Sequence, residues 1–283
     1  MDPKKMDLKK IKKVGIIGVG FMGGSLALAL KKSFSNFEII GHARSDKAFK
    51  RLKRAKVVDR IERSDKKIAK EADILILATP VGIIVDFLKR MGSYLKKGAI
   101  VFDLGSTKEE IEKVAKKNLP KEVSFVGCHP FCGSEKRGAE KAKQNLYQGA
   151  ICFITSSNKA SYLVEKIWKK VGSRVVRVGP KTHDNITCLT SHLPHFICFS
   201  LINAIPDNYL EFSSSGFADL TRVASSSGDL WADIFLTNKS KILKHIDKYN
   251  QISNKLKDSI IKEDKKKLKL LIKKANKKRN KIL

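Results

Sequence analysis

The chain has 283 residues, of which 42% are hydrophobic, and this is enough to bury a sizeable core in about two domains. It contains no apolar run of about 18 residues, so we expect no membrane-spanning helix and no membrane partner. The formal net charge of +30 is spread along the whole chain, and we interpret it as solvated lysine-rich faces and expect no nucleic acid partner.

The N-terminal residues and the cysteines bear on location. Residues 1–12 are basic and contain no apolar run of signal-peptide length, so we expect a solvated arm. The five cysteines follow no disulfide spacing of small secreted domains. Both features are typical of a protein from a reducing compartment, and we expect a cytoplasmic protein.

An apolar strand at 14–17, a glycine turn at 18–24 and a helix at 25–30 open the regular part of the chain. A helix is also predicted at 46–55. Short buried strands recur with helical segments between them, at 37–41, 74–78, 99–103 and 124–127. Strand and helix alternating in this way predict a parallel sheet that is covered on both faces.

Two further strands, at 150–155 and 174–178, flank a helix at 159–171, and Gly179 and Pro180 then interrupt the pattern. After residue 181 only helical patterns follow. The predicted fold is therefore α/β, a doubly wound parallel sheet of the Rossmann type followed by an all-helical domain. We place the basic arm at 1–12, the dinucleotide-binding domain at 13–180 and the helical domain for substrate binding and dimerisation at 181–283.

Three glycines, Gly18, Gly20 and Gly23, stand between the first strand and the first helix. In this context they allow a tight turn, a close approach of the backbone to a pyrophosphate and close packing of helix on strand. The helix N-terminus then attracts the phosphates. We assign cofactor binding to the three glycines and to Phe21, Met22, Arg44, Ser45, Thr79 and Pro80.

The end of the second strand bears on the choice of cofactor. An NAD site has an acidic residue there for the ribose hydroxyls, and this chain has Ala43 followed by Arg44, which is available for a 2′-phosphate. Asp46 is expected on the loop beyond. We predict an NAD(P) site and favour NADP, while NAD stays open because Arg44 could be only a surface charge.

Polar clusters at 103–108, 127–138 and 183–195 are not required for core packing. The first two follow predicted strands, where parallel sheets bind ligands. Cys128, His129 and Cys132 suggest metal binding, but a structural zinc site needs four ligands and no second pair with suitable spacing follows. We expect no metal.

Together with the glycine turn, these clusters resemble the prephenate dehydrogenase family, which includes arogenate dehydrogenases. Five ordered motifs carry the resemblance over nearly the whole chain: the turn and the segments at 103–108, 129–138, 191–195 and 221–224. The resemblance implies a Rossmann-type domain, a helical dimerisation domain and a homodimer. It also implies oxidative decarboxylation of prephenate to 4-hydroxyphenylpyruvate with hydride transfer to NAD(P)⁺, in tyrosine biosynthesis. No further domain is recognisable, so we expect a monofunctional enzyme.

The same resemblance implies catalytic roles for two residues. His129 would be the histidine that takes up the proton of the substrate's 4-hydroxyl, and Ser106 would orient that hydroxyl and the imidazole. A base with a pKa near neutrality suits this step, which is why a histidine is needed.

Substrate binding is likewise assigned through the resemblance. His195 would lie in the substrate pocket, and Arg222 would bind a substrate carboxylate, for which a guanidinium is suited. Glu135 would pair with that arginine, and Ser134 completes the set. His192 is kept as a structural candidate.

Alternatives to these assignments stay open. Residues 134–137 are more like those of prephenate users, but arogenate, which would give tyrosine directly, is the alternative substrate. A β-hydroxyacid or imine dehydrogenase would share the glycine turn but not the His129 and His195 motifs together. A further alternative belongs to another class: a basic protein that senses a nucleotide and binds a polyanion through its lysine-rich tail. Arg222 could also pair with Asp219 at the surface.

Overall fold

The computed structural model describes residues 8–132 and 138–282. The chain forms two compact units, one that ends at Asn238 and one that begins at Lys239. In the described part of the predicted N-terminal arm, Leu8 and Ile11 pack against the hydrophobic core. The predicted domain division at residue 180 stays a prediction.

The first unit is built on a parallel sheet of six strands. These strands are β1 (Lys13–Ile17), β2 (Glu38–His42), β3 (Arg60–Glu62), β4 (Ile74–Leu77), β5 (Ile100–Asp103) and β6 (Ser124–Val126). Their order is β3-β2-β1-β4-β5-β6, which is the order of dinucleotide-binding sheets and confirms the predicted Rossmann-type fold. Of these six strands, the sequence analysis missed only β3, because a short edge strand with alternating charged residues carries little apolar signal.

Six helices of the first unit accompany the strands. They are α1 (Phe21–Ser33), α2 (Asp46–Ala55), α3 (Asp65–Glu71), α4 (Val81–Met91), α5 (Glu109–Asn118) and α6 (Lys159–Lys170). Along β4, Ile74 and Ile76 enter one buried apolar cluster, whereas Leu75 and Leu77 enter another. Because successive side chains of a strand point to opposite faces, the sheet is covered on both sides, as the sequence predicted.

Three strands form a second, separate sheet. They are β7 (Cys128–Phe131), β8 (Ile151–Ile154) and β9 (Arg174–Arg177), with β7 antiparallel to β8 and β8 parallel to β9. The sequence predicted β8 and β9 but not β7, which contains Pro130. Proline cannot donate a ladder hydrogen bond, and β7 tolerates it because it lies at the sheet edge.

The described residues after 179 contain helices and turns. The helices are α7 (Pro180–Thr187), α8 (Leu193–Asn203), α9 (Ser215–Thr221), α10 (Gly228–Thr237), α11 (Lys239–Ile261) and α12 (Lys265–Arg279). A π-helical turn, Cys188–His192, joins α7 to α8, and such turns occur frequently at functional sites. None of the helices described is long and apolar enough to cross a membrane.

Candidate active site

The glycine turn between β1 and α1 has a different physical requirement at each glycine. Gly18 has φ +96°, and a Cβ there would lie 2.6 Å from the Ala78 carbonyl oxygen. A Cβ on Gly23 would lie 2.3 Å from the Gly18 carbonyl oxygen, so α1 could not pack as closely. At Gly20, in contrast, a Cβ would enter open space at the start of α1. This open space next to a helix N-terminus fits a pyrophosphate.

A cavity of about 420 Å³ lies beside this turn. Five of the predicted cofactor-binding residues line it: Gly20, Phe21, Met22, Thr79 and Pro80. The cavity lies beyond the carboxyl ends of β1, β4 and β5, which is where open parallel sheets bind dinucleotides. The structure therefore brings these residues together in a space that fits a dinucleotide.

Arg44 and Ser45 are exposed at the end of β2, outside that cavity. The hydroxyl of Ser45 accepts a hydrogen bond from the backbone N–H of Ala48 at 3.2 Å and so caps α2. Asp46 is the nearest carboxylate in sequence, and its Oδ1 lies 2.6 Å from a guanidinium nitrogen of Arg63. This carboxylate is engaged in an ion pair.

A second cavity, of about 330 Å³, brings the predicted catalytic and substrate-binding side chains together. It is lined by Ser106, His129, His195 and Arg222, and also by His192. The rest of its lining is mostly apolar or small: Phe131, Cys132, Ser191, Val223, Ser226, Leu230, Trp231 and Ile234. Ser106 and His129 line both cavities, as do Cys132, Ser226 and Leu230, so the two cavities meet at a boundary that includes both predicted catalytic side chains.

His129 lies on the edge strand β7 and is only 8% exposed. Burial lowers the pKa of its imidazole well below the ordinary value, and the neighbouring His183, Lys108 and His192 lower it further. The ring is therefore neutral near pH 7 and can accept a proton. This is the state that a general base requires.

The loop after β5 carries Ser106 and is held by a buried ion pair between Asp103 and Lys108. Asp103 also accepts hydrogen bonds from the backbone N–H of Gly105 at 2.8 Å and of Cys128 at 3.2 Å. Burial raises the pKa of Asp103, whereas the Lys108 ammonium opposes that shift. These contacts tie the Ser106 loop to the strand that carries His129.

His192 is the last residue of the π-helical turn and His195 lies in the first turn of α8, and both line the substrate cavity. Nδ1 of His195 lies 2.8 Å from the Ser191 carbonyl oxygen, to which it donates. His192 is 1% exposed, and its Nδ1 lies 3.2 Å from the amide nitrogen of Asn238. Burial lowers the pKa of His192 to about 4. Sequence analysis favoured His195 for the ligand, and the structure places His192 beside it in the same lining.

Some site residues lie outside the sequence assignments or outside the described part of the chain. Trp231, on α10, lines the substrate cavity and packs on His195, but a lone tryptophan in a helical pattern gave no functional signal. The predicted substrate-binding residues Ser134 and Glu135 lie outside the described residues. Among the described residues, no group of three or more His, Cys, Asp or Glu side chains could hold a metal ion.

A larger cavity of about 930 Å³ lies elsewhere, with Glu112, Asn158 and Arg177 in its lining. It contains none of the predicted site residues that the structure describes. Size alone therefore does not locate the site. The convergence of the glycine turn, His129 and the basic side chains does so.

Comparison with protein families identifies the relatives of this chain. Residues 26–177 match the family model for the prephenate dehydrogenase nucleotide-binding domain, and residues 179–274 match the one for the prephenate dehydrogenase dimerization domain. The prephenate dehydrogenase of Bacillus subtilis (strain 168) is 34% identical over 262 residues, which cover 88% of this chain and 70% of that protein.

Solved structures agree with the sequence comparison. A prephenate dehydrogenase from Aquifex aeolicus, in complex with hydroxyphenyl propionate and NAD⁺, has a TM-score of 0.89 and 31% identity, and the match covers 98% of this chain and 100% of that one. Synechocystis arogenate dehydrogenase has a TM-score of 0.79 and 26% identity, over 96% of this chain and 100% of that one. With both family models matched in order, and with the predicted residues gathered around two adjoining cavities, the chain belongs to the prephenate dehydrogenase family of oxidoreductases.

Proposed function

We propose that the protein oxidatively decarboxylates prephenate to 4-hydroxyphenylpyruvate with hydride transfer to NAD(P)⁺. The observation that carries this proposal is the meeting of the two cavities at Ser106 and His129. A nicotinamide cofactor, when bound, supplies the hydride acceptor. The glycine turn, with its open space at Gly20, fits such a cofactor on one side of His129. The smaller, basic cavity fits the substrate on the other side.

In this proposal His129 takes the proton of the substrate's 4-hydroxyl. Loss of that proton lets the oxygen electrons form a carbonyl as hydride leaves the same carbon. The bond to the ring carboxylate then breaks and carbon dioxide departs. The electron pair of that bond makes the ring aromatic, and the carbonyl oxygen takes back a proton as the phenolic hydroxyl. Ser106 lies in the same lining and has a hydroxyl that can hold the substrate oxygen towards His129.

The charge of the substrate cavity supports an anionic substrate. The guanidinium of Arg222 provides a planar pair of donors for a carboxylate. The aromatic and aliphatic side chains of Phe131, Leu230 and Trp231 provide an apolar surface for the ring. A ring that carries carboxylates fits this combination.

We favour prephenate over arogenate from the described part of the lining, which does not include the predicted substrate-binding residue Glu135. Arogenate carries an ammonium group where prephenate has a keto group, and an ammonium group is best held by a carboxylate. The described residues that line the cavity include no aspartate or glutamate. The guanidinium of Arg222 would instead repel an ammonium group.

For the cofactor, the surroundings of Arg44 support NADP. The strand end has Ala43 where an NAD site has an acidic residue, and Asp46 is held by Arg63. The exposed guanidinium of Arg44 therefore stands at the strand end, and Asp46, the nearest carboxylate in sequence, is paired with Arg63. A 2′-phosphate suits this environment.

Homodimerisation through the helical domain at 181–283 completes the proposal. The matched model for residues 179–274 is that of a dimerization domain. In the unit that ends at Asn238, the side chains of Phe212, Leu220 and Leu236 are 76%, 60% and 70% exposed, which a second copy would cover. The molar mass measured by light scattering should be twice that of the chain.

The five free thiols support the expected cytoplasmic location.

The function is tested by following reduced-cofactor absorbance with prephenate or arogenate, each with NAD⁺ or NADP⁺. Turnover of prephenate, fastest with NADP⁺, is the expected result. Preference for arogenate would reassign the substrate, and preference for NAD⁺ would remove Arg44 from the cofactor site. Absence of turnover in all four combinations, from folded protein that binds a dinucleotide, would contradict the proposed function.

A further inference from the structure

A chain of hydrogen bonds runs from the candidate base into the protein interior. Nδ1 of His129 lies 2.9 Å from Nε2 of His183, and Nδ1 of His183 lies 2.7 Å from Oδ1 of Asp184. His183 and Asp184 are 0% and 1% exposed, so water does not compete for these bonds. The two residues lie on α7, and His183 is 54 positions beyond His129 in the sequence.

Asp184 at the inner end of this chain is held as a carboxylate. Burial raises its pKa, but the hydrogen bond from His183 and the backbone N–H groups of Glu109 and Lys108 outweigh burial and keep the pKa below its ordinary value. These N–H groups lie 3.0 and 2.7 Å from its two oxygens, at the N-terminus of α5. An ionised carboxylate only accepts hydrogen bonds, which fixes the direction of its bond with His183.

The direction of the bond between His183 and His129 follows from the ionised state of Asp184. Nδ1 of His183 must carry a proton to donate to Asp184. Burial lowers the pKa of His183 despite the neighbouring carboxylate, so the ring is neutral and its Nε2 has a lone pair. Nδ1 of His129 must then donate to that lone pair. In a neutral His129 the proton resides on Nδ1, and the lone pair of Nε2 is left for a ligand in the cavity.

We propose that His183 and Asp184 are positioning residues that hold His129 in the tautomer whose Nε2 can accept the substrate proton. The proposal rests on the proposed function, because it gives a purpose to that tautomer. When the substrate O–H bond breaks and an Nε2–H bond forms, His129 becomes positively charged. Its Nδ1–H then donates more strongly to His183, whose own proton faces the negative charge of Asp184.

The first test variant is Asp184→Asn, which can offer His183 a donor in place of an acceptor with nearly unchanged shape. When the amide NH₂ is turned to His183, the amide oxygen keeps the bond from the Glu109 N–H, and the Lys108 N–H, which shares Oδ1 with His183, loses its acceptor. His183 would accept at Nδ1 and donate from Nε2, so that His129 would carry its proton on Nε2 and could not act as a base. We expect kcat to fall by about 10²–10⁴, with a much smaller change in KM.

A spectroscopic measurement tests the tautomer without using turnover. Nitrogen NMR of protein labelled with ¹⁵N-histidine distinguishes a protonated ring nitrogen from one with a lone pair. At pH 7, His129 should be protonated on Nδ1 in the unmodified protein and on Nε2 in Asp184→Asn. A purely structural role for Asp184 would leave the His129 tautomer unchanged.

The matched control is Asp73→Asn. Asp73 also accepts from two backbone N–H groups, those of Lys12 and Lys13, at 2.8 and 3.0 Å, but it lies away from both cavities. This variant should lose stability in the same way while kcat and the His129 resonances stay unchanged. An equal fall of kcat in both variants would indicate general destabilisation and overturn the proposal.

A second variant keeps the proposal testable if Asp184→Asn does not fold. His183→Phe retains a planar ring between His129 and Phe153, whose centroids lie 5.1 and 5.2 Å away, but removes the acceptor. It should lower kcat and leave His129 as a mixture of tautomers. Both residues act through one series of hydrogen bonds. Adding Asp184→Asn to the His183→Phe variant should therefore lower kcat by less than a further twofold.

The outcomes separate this proposal from the proposed function. If prephenate is turned over but His129 in the unmodified protein carries its proton on Nε2, the positioning proposal is wrong and the function stands. If no substrate is turned over but Nδ1 of His129 carries the proton, the proposed function is wrong, and the hydrogen bonds from His129 to Asp184 serve another purpose. Losses in the two variants that multiply would also overturn the single-chain argument.

Discussion

The imidazole of His195 stacks on the indole of Trp231, with the ring centroids 3.6 Å apart and the planes 23° from parallel. Nδ1 of His195 is also bound to the Ser191 carbonyl oxygen. These two contacts fix the plane and the rotation of the ring, so that Nε2 is left for a ligand in the substrate cavity. The side chain of Trp231 is therefore part of the candidate site, although no sequence motif marked it.

Replacing Trp231 by leucine should raise KM for prephenate by roughly threefold to tenfold, because an aromatic pair is worth about 0.5–1.5 kcal/mol beyond its buried area. The effect on kcat should be smaller, since His129 is untouched. Trp231→Phe keeps an aromatic surface and serves as the matched variant, with an intermediate KM. Steady-state kinetics with equal KM for all three proteins would remove Trp231 from the site.

Replacing His129 by asparagine should lower kcat by about 10²–10⁴, the usual worth of general base catalysis. Folding and dinucleotide binding should be retained, which circular dichroism and fluorescence titration of the cofactor would show. His245→Asn, far along the chain on α11, is the control and should keep full activity. Near-normal turnover of the His129 variant would contradict its assignment as the base.

Replacing Arg222 by alanine should raise KM by about 10-fold to 100-fold, because a hydrogen bond to a charged group contributes about 1.5–3 kcal/mol. Arg222→Lys keeps the charge but not the planar fork, so it should recover only part of the affinity. A comparison of KM for the two variants with that of the exposed-site control Arg90→Ala tests this. An unchanged KM for Arg222→Ala would remove the guanidinium from substrate binding.

Replacing Arg44 by alanine should lower kcat/KM for NADP⁺ by about 10-fold to 100-fold and leave kcat/KM for NAD⁺ nearly unchanged. The reason is that only NADP⁺ carries the 2′-phosphate that the guanidinium would bind. Lys47→Ala, on the first turn of α2, is the nearby control for a general loss of positive charge. Equal losses with both cofactors would show that Arg44 does not discriminate between them.

The pH dependence of stability follows from the buried histidines. Burial lowers the pKa of His192 to about 4, so below the ordinary value of about 6.5 the unfolded state takes up a proton before the folded state does. The free energy of unfolding should therefore fall as pH falls, by about 2 kcal/mol between pH 7 and pH 5 for this residue alone. The free energy of unfolding of His192→Gln, measured with urea, should change by about 2 kcal/mol less than that of the unmodified protein between pH 7 and pH 5. An identical pH dependence in both proteins would place the pKa of His192 near its ordinary value.

The sequence by itself determined the features that depend on near neighbours in the chain. Gly18, Gly20 and Gly23 predict a dinucleotide-binding turn because they lie between a strand and a helix that follow each other directly in the chain. Alternating buried strands and helices predict a covered parallel sheet. Residues that follow a strand end, such as Ser106, are directed to the ligand edge of such a sheet. The family assignment, which the comparisons confirm, also rests on ordered local motifs.

Tertiary structure decided the contacts between residues that are distant in the chain. Periodicity shows that β8 and β9 are strands but not that they leave the main sheet to pair with β7, because a strand's pattern does not identify its partner. The same holds for His183, which meets His129 across the domain, and for Trp231, which stacks on His195. A histidine in a sequence has two possible tautomers, and only the partners that the fold brings to its ring choose between them.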